Sequence, residues 1–128
     1  MIEISVGTLI ESIPTLQKLS GINLKAKTAW QVSRLLREIE KELQGINETR
    51  LDIVKKYCEQ DESGEPVIVG GNYKILPENI EKCTQESNDF LASIIEINAS
   101  LISLNDLNDV DFTAAEMNQL EKFINFED

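Results

Sequence analysis

The most regular pattern of hydrophobic and polar positions lies between Lys25 and Gln60, where apolar side chains recur at alternating steps of three and four residues. This spacing predicts one long helix with a single apolar stripe. At 1.5 Å per residue the helix is about 50 Å long, so we expect part of it to project or to meet a partner. Gly45 is predicted to mark a bend or a close contact, and Arg50 fills the one vacant stripe position. The stripe consists of Val32, Leu36, Ile39, Leu43, Ile46, Ile53 and Tyr57.

A shorter amphipathic helix is predicted near the start of the chain. Ser5 is a suitable N-cap, and the helix is expected to run to about Leu19, where Ser20 and Gly21 end it. Pro14 lies inside this pattern, so a kink or a break is expected there. The apolar stripe is formed by Leu9, Ile10, Ile13, Leu16 and Leu19.

A β-hairpin is predicted over about residues 66–76. Two short runs rich in β-branched and apolar residues flank Gly70, Gly71 and Asn72, which tolerate the positive φ angles of a tight hairpin turn. Pro77 then opens another helix, which we expect to pack antiparallel to the long one. The stripe of this second long helix is predicted to contain Ile80, Cys83, Phe90, Leu91 and Ile94.

The C-terminal quarter begins with a loose apolar pattern and ends with a clear helix signal. Between Ile95 and Leu104 the pattern fits a strand or an extended passage best. Thr113 followed by Glu116 forms a capping box, which predicts a closing helix that runs to about Phe126. Its apolar face is predicted to consist of Met117, Leu120, Phe123 and Ile124.

Together these elements predict a mainly α fold of the α+β class in a single domain spanning residues 1–128. Its parts are a long central helix paired with an antiparallel helix, shorter N- and C-terminal helices, and one small β-hairpin. At 128 residues the chain is long enough to bury one hydrophobic core.

Charge narrows the choice of partners. The chain has 12 basic and 23 acidic residues and a net charge of −11, whereas a nucleic-acid binder of this size should be basic. The acidity is explained by a solvated, self-repelling surface, or by a surface that imitates DNA or docks on a basic partner. If it has a purpose, the last 24 residues are the place to look, because they carry seven acidic side chains and only Lys122 against them.

The sequence also bears on location. It has no apolar run near the roughly 20 residues that a membrane span needs. Residues 1–9 have no basic residue and therefore lack the charged head of a secretory signal. We expect no membrane association and a location in a cytoplasm or in an assembly built in one.

Little in the sequence points to catalysis or to a cofactor. The chain has no His, which removes the usual general base and the usual zinc ligand. Gly70-Gly71 is not followed by the Lys-Ser or Lys-Thr of a phosphate-binding loop, and the acidic segments at 61–64 and 106–117 depart from the EF-hand pattern. We therefore expect no enzymatic activity, no cofactor and no metal site.

Individual residues admit two interpretations each. Cys58 and Cys83 are expected to be reduced and buried, with a disulfide as the alternative. Trp30 is expected in the core, with an interface hot spot as the alternative, whereas Tyr73, beside the hairpin tip, is as suited to an interface as to the core. The residues predicted to bind a partner are Arg50, Tyr73, Asp106, Asp109, Asp111 and Glu116.

Several segments resemble small uncharacterised accessory proteins of tailed bacteriophages. They are Lys25-Ala26-Lys27-Thr28-Ala29, the long helix with Arg34 and Arg50, the insert at 62–66, Pro77-Glu78-Asn79 and Leu120-Glu121-Lys122-Phe123-Ile124. The similarity covers most of the chain. It implies a phage origin and an accessory role, and it supplies no catalytic or ligand-binding residue.

Two hypotheses of function remain. In the first, the protein is a small virion or assembly component whose long helix packs beside a larger phage protein or beside copies of itself in a homo-oligomer. In the second, it is an acidic soluble inhibitor of a host nucleic-acid-binding or defence protein. The first is favoured, because the helical stripe is a stronger signal than the acidity.

Overall fold

Residues 1–126 are described by the computed structural model, which is mainly helical with small sheets, as the sequence predicts for an α+β fold. The helices are α1 (Val6–Ser20), α2 (Ala26–Tyr57), α3 (Ile80–Ala92) and α4 (Ala114–Leu120). The strands are β1 (Ile2–Ser5), β2 (Ile68–Val69), β3 (Asn72–Tyr73), β4 (Ile94–Ile97), β5 (Ile102–Ser103) and β6 (Ile124–Asn125). Short 3₁₀ helices occupy Pro77–Asn79, Leu104–Leu107 and Glu121–Phe123.

The predicted long helix is confirmed as α2, which has 32 residues and a length of about 48 Å. It continues without interruption through Gly45, and a Cβ atom added there would have no heavy atom within 4 Å. The prediction of a close contact at Gly45 is therefore wrong, because the glycine faces open solvent. The residues of α2 that are buried are Thr28, Val32, Leu35, Ile39, Ile46 and Ile53.

The first helix, α1, contacts each of the other three helices as well as β1, so the centre of the fold is α1 rather than α2. Its apolar side chains Val6, Leu9, Leu16 and Leu19 are 2% exposed or less. The predicted N-cap is confirmed, since the Ser5 side chain accepts a hydrogen bond from the backbone N–H of Thr8.

Pro14 does not break α1, contrary to one of the two predicted outcomes. The proline side chain is exposed, while the turns on both sides are held by buried residues. Tertiary packing of the apolar face therefore outweighs the hydrogen bond that the proline removes.

Small residues let the neighbouring helices approach α1 closely. Ser12 is fully buried, and its hydroxyl donates to the carbonyl of Leu9 at 2.7 Å. The hydroxyl of Thr15 donates to the side-chain oxygen of Gln119 in α4. On the side of α3, a Cβ atom added at Gly7 would lie 3.2 Å from the carbonyl oxygen of Leu91. A larger residue at this position would push the two helices apart.

The described residues form three two-stranded sheets. The pairs β1–β4 and β5–β6 join separate parts of the chain, and the pair β2–β3 forms the hairpin. The antiparallel pair β1–β4 places Ile2 opposite Ile97 and Glu3 opposite Glu96. The isoleucines are buried, whereas the two glutamates face each other on the exposed side, an arrangement that like charges disfavour. Strand β4 lies in the passage predicted to be extended, but β1 is not predicted from the sequence.

The end of the chain differs from the prediction of a helix to about Phe126. The α-helix ends at Leu120, a 3₁₀ turn follows, and Ile124 pairs with Ile102 in the parallel β5–β6 pair. This pairing gives the backbone groups of both β5 and β6 hydrogen-bond partners around the buried Ile124. A continued helix would leave the backbone groups of β5 without them. The predicted N-terminus is confirmed, since Thr113 and Glu116 form both hydrogen bonds of the capping box.

The predicted hairpin is confirmed as β2–β3, with Gly70 at φ +60° and Gly71 at φ +84° in the turn. Positive φ at both central residues suits the twist of a two-residue hairpin.

The stripe predicted for α3 is wrong at its two ends, because Ile80 is 53% exposed and Ile94 is 64% exposed. The first faces solvent at the start of α3, and the second lies on the outer face of β4. The half-buried residues of the stripe are Cys83, Phe90 and Leu91.

Truncation of matched leucines on α2 tests this description of the core. Leu35 is fully buried and Leu51 is 39% exposed. We expect Leu35→Ala to lower the free energy of unfolding by about 2–5 kcal/mol, because it removes apolar contacts and leaves a cavity. Leu51→Ala, the matched control, should change it by about 0.5 kcal/mol or less. Urea unfolding followed by circular dichroism measures both, and equal losses would contradict the assignment of α2's buried side.

Candidate functional site

The charges of this acidic protein are strongly segregated along the chain. Between Ser12 and Arg37 there are five basic residues and no acidic one, so the remainder carries seven basic against 23 acidic residues. This gap in the acidic residues is visible in the sequence alone. It is the signal that points to a cationic surface. None of the residues predicted to bind a partner lies in this segment.

Part of this basic segment forms one side of a depression at the start of α2. Lys27, Trp30, Gln31 and Arg34 share a face of the helix because they are spaced by three, four and seven residues. The depression has a volume of about 390 Å³. We call its lining the Trp30 surface, and it consists of Met1, Lys27, Trp30, Gln31, Arg34, Asn98, Ala99 and Ser100.

Trp30 is 57% exposed, so the prediction that it belongs to the core is wrong. The reason is helical geometry. Thr28 and Val32 are buried, and a residue two positions from each of them lies on nearly the opposite side of an α-helix. The exposed Met1 lines the same depression, so the surface contains two exposed apolar side chains.

The two cations of the Trp30 surface have no acidic partner within residues 1–126. Neither Lys27 nor Arg34 lies within 4.0 Å of a carboxylate oxygen there. The ion pairs in that part of the chain instead engage Lys18, Lys41, Lys56 and Lys74. Within residues 1–126, no ion pair therefore neutralises the positive charges of the surface.

The side-chain amide of Gln31 contains an unsatisfied hydrogen-bond acceptor at the Trp30 surface. Its oxygen Oε1 is buried and has no hydrogen-bond partner within the described residues. A buried acceptor without a donor costs about 1–3 kcal/mol. A donor that reaches this oxygen when the surrounding side chains move would recover that free energy.

The acidic residues predicted to bind a partner lie in two neighbouring places. Asp106 and Asp109 are exposed and line a cleft together with residues 22–25. Asp111 is exposed as well, and its backbone carbonyl accepts a hydrogen bond from Lys18 at 3.2 Å. Glu116 pairs with the same Lys18 at 2.9 Å.

The structure gives Glu116 a local role in stability. Its carboxylate accepts a hydrogen bond from the backbone N–H of Thr113 and forms an ion pair with Lys18. The Thr113 hydrogen bond first, and Lys18 second, lower the pKa of Glu116 below its ordinary value of 4.5. Because its oxygen Oε1 already takes part in both contacts, Glu116 is less suited to a partner than the exposed aspartates.

Arg50 and Tyr73 are placed on other elements than the acidic group. Arg50 is exposed on α2, and it has no carboxylate within 4.0 Å in residues 1–126. Tyr73 is half-buried on β3, opposite Ile68 in the hairpin. The six predicted residues therefore do not form one site, although each stays a predicted partner contact.

Other candidate chemistry is limited. Cys58 and Cys83 are both free thiols, and Cys58 is buried while Cys83 is half-buried. Within the described residues, no group of three or more His, Cys, Asp or Glu side chains is arranged to hold a metal ion. None of the helices in that part of the chain combines the length and apolar character that a membrane span requires.

No protein-family model matches the chain, and no curated protein or solved structure matches it either.

The lowered pKa of Glu116 predicts an acid-dependent contribution to stability. A carboxyl group whose pKa is lower in the folded state stabilises the fold above its unfolded value, and this contribution is lost as pH falls through the folded value. We expect Glu116→Gln to be less stable than wild type at pH 7, with a difference that shrinks below about pH 4.5. Urea unfolding at a series of pH values measures it.

Thr113→Ala is the control for this prediction. It removes the N-cap acceptor, which costs about 0.5–2 kcal/mol, but keeps the backbone N–H that Glu116 binds. Its loss of stability should therefore persist at acidic pH. An unchanged gap between wild type and Glu116→Gln down to pH 3 would contradict the role assigned to the Glu116 charge.

Quenching of Trp30 fluorescence tests the electrostatics of the Trp30 surface. Trp30 is the only Trp in the chain and is exposed. We expect iodide to quench it more strongly than caesium, despite the net charge of −11, because Lys27 and Arg34 attract anions locally. Arg34→Glu should reverse the order of the two quenching constants.

Arg50→Glu is the matched control, because it makes the same change of charge on the same helix. Trp30 and Arg50 are separated by about 30 Å along α2, roughly three Debye lengths at 0.1 M salt. This variant should leave the order unchanged. Stronger quenching by caesium in the wild-type protein would show that the surface is not cationic.

Proposed function

We propose that the chain is a small non-enzymatic accessory protein of a tailed bacteriophage, which acts by protein–protein binding as a component of the virion or of its assembly. Its place of action is then the host cytoplasm or the virion. The observation that carries the proposal of protein binding is the Trp30 surface, where an exposed indole lies in one depression with two cations that have no ion-pair partner among residues 1–126. The phage origin rests on the resemblance of the sequence.

The composition of the Trp30 surface supports protein binding. Trp and Arg are the residues most enriched among those that dominate interface energies, and a well-packed pocket around them excludes water. Trp30 and Arg34 lie one helical turn apart on α2, and the exposed Met1 adds apolar area beside them. A partner that covers the indole gains apolar burial and charge pairing at the same place.

The fold also supports binding by holding this surface in place. Val32 and Leu35, on the other side of the same turns of α2, are buried in the main core. The backbone under Trp30 is therefore fixed before any partner arrives. Less conformational freedom is then lost on binding, which favours affinity.

An acidic inhibitor of a host nucleic-acid-binding or defence protein is the second candidate function. It is favoured by the charge of the chain outside residues 12–37, where 23 acidic residues face seven basic ones. A basic partner would contact this acidic region, including Asp106 and Asp109. The two candidates therefore use different surfaces, and variants of each surface separate them.

We also propose that α3 runs antiparallel to α2, as the sequence predicts. The support comes from contacts near the joined ends of the two helices. The Asn79 side chain approaches the carbonyl of Tyr57 at 3.5 Å, and Lys56 pairs with both carboxylate oxygens of Glu86 at 3.2 Å. Lys56 and Glu86 are both farther from the hairpin along the chain than Tyr57 and Asn79 are. This order of contacts is the one that antiparallel helices produce.

Capture of partners from phage-infected cells tests the proposed function. We expect the tagged protein to capture a phage structural or assembly protein, and Trp30→Ala to weaken that capture at least about tenfold. Truncation of a dominant interface residue costs about 2 kcal/mol or more, and 1.4 kcal/mol corresponds to a factor of ten. Quantitative mass spectrometry of the captured proteins measures the effect.

Leu51→Ala is the matched control, because Leu51 is an exposed apolar residue on the same helix away from the Trp30 surface. Its capture should equal that of wild type. Capture of the same phage protein by Trp30→Ala at wild-type level would show that the Trp30 surface is not used. Capture of a basic host protein, lost in Asp106→Lys but kept in Trp30→Ala, would favour the inhibitor.

A further inference from the structure

We propose that the Trp30 surface binds an extended acidic segment of a different protein, with an apolar side chain of that segment on the indole and carboxylates on Lys27 and Arg34. The inference rests on the proposed function, because it names the chemistry of the partner at the same surface. Three observations carry it: two cations without an ion-pair partner in the described part of the chain, the distance between them, and the acidity of the remainder of the sequence.

The spacing of the cations fits a short peptide. Lys27 and Arg34 are seven residues apart on α2, which is about 10 Å along the helix, and Trp30 lies between them. In an extended chain, residues two to four positions apart are separated by about 7–13 Å. Acidic residues on both sides of one apolar residue therefore match the cation–indole–cation order of the surface.

The number of available cations disfavours a nucleic acid. Of the five basic residues between Ser12 and Arg37, Lys18 is paired with Glu116, Lys25 lines the cleft of Asp106, and Arg37 lines a separate groove beside α1. Only two remain at the Trp30 surface. Double-stranded DNA carries one charge per about 1.7 Å of its axis, so it would extend beyond these two cations and be repelled by the net charge of −11.

The unpaired oxygen of Gln31 points to a peptide as well. A phosphodiester backbone offers only acceptors, whereas a peptide backbone has an N–H group at nearly every residue. Gln31 lies between Lys27 and Arg34 in the same depression. A bound peptide can pair with the cations, and one of its N–H groups can satisfy this buried acceptor once the side chains that cover it move.

A second copy of the chain is disfavoured as the occupant by its overall charge. Each copy carries −11, so two copies repel each other as they approach. A different protein needs only a local acidic segment and can carry any charge elsewhere. We therefore commit to a segment of another protein.

Fluorescence titration with synthetic ligands tests the inference. The probe is a capped ten-residue peptide with glutamates on both sides of a central Leu-Phe pair and no Trp. We expect a saturable blue shift of Trp30 emission, because the peptide covers the indole, and an affinity that falls as salt is raised. Arg34→Glu should weaken binding at least tenfold, and Arg50→Glu should change it less than about twofold.

Two further ligands separate the alternatives. The same peptide with lysines in place of glutamates, and a ten-nucleotide oligothymidylate, should each bind at least tenfold more weakly than the acidic peptide. Equal or tighter binding of either would overturn the inference. A blue shift that grows with protein concentration without any ligand would also overturn it, in favour of a second copy.

The titration and the capture experiment fail in different ways. If Trp30→Ala loses its phage partner but the acidic peptide does not bind, the surface is a protein interface and the acidic segment is wrong. If the acidic peptide binds in the predicted manner while Trp30→Ala keeps its phage partner, the inference holds and the proposed function needs another surface.

Discussion

Burial of the apolar side of α1 is the interaction on which the other elements depend. A hairpin of two-residue strands and a seven-residue helix such as α4 are too short to be stable by themselves in water. Strand β1 leads directly into α1, and α2, α3 and α4 each contact it. The side chains of Leu9 and Leu16 therefore give several short elements a common surface to pack on.

This dependence also explains why a cationic and aromatic surface is left open. Because α2 turns Val32 and Leu35 toward the core that it shares with α1, helical geometry turns Trp30 and Arg34 outward. The acidic residues of the remainder of the chain give the molecule a net charge of −11, so two copies repel each other electrostatically. The same charges confine attraction for an anionic group to the small region where acidic side chains are missing.

The sequence predicts those features whose signals are local. The stripe of α2, the capping box at Thr113 and the Gly70-Gly71 turn are each decided within a few residues, and all three are present. Features decided by distant partners are missed. Strand β1 is four residues long and pairs with residues about 90 positions away, and β6 forms only because β5 offers it backbone partners.

Trp30 illustrates the same limit for the candidate site. An aromatic residue at the start of a long helix is expected in the core, and only the position of the buried stripe shows that it points outward. The absence of acidic residues between Ser12 and Arg37 is readable without a structure. Helical spacing also places Lys27 and Arg34 on the face of Trp30. What the sequence does not show is that Lys18, Lys25 and Arg37 lie at other places, because that depends on how α4 and the loops pack around them.

The position of α1 in the chain has a consequence for synthesis on the ribosome. Leu120 and Phe123 belong to the same core as Leu9, but they are translated more than 100 residues later. At about 5–20 residues per second, the apolar stripe of α1 waits roughly 5–20 s for these partners. Nascent chains on one polysome are most prone to aggregate during that interval. The acidic residues translated after α1 give neighbouring chains a mutual repulsion before the core can close.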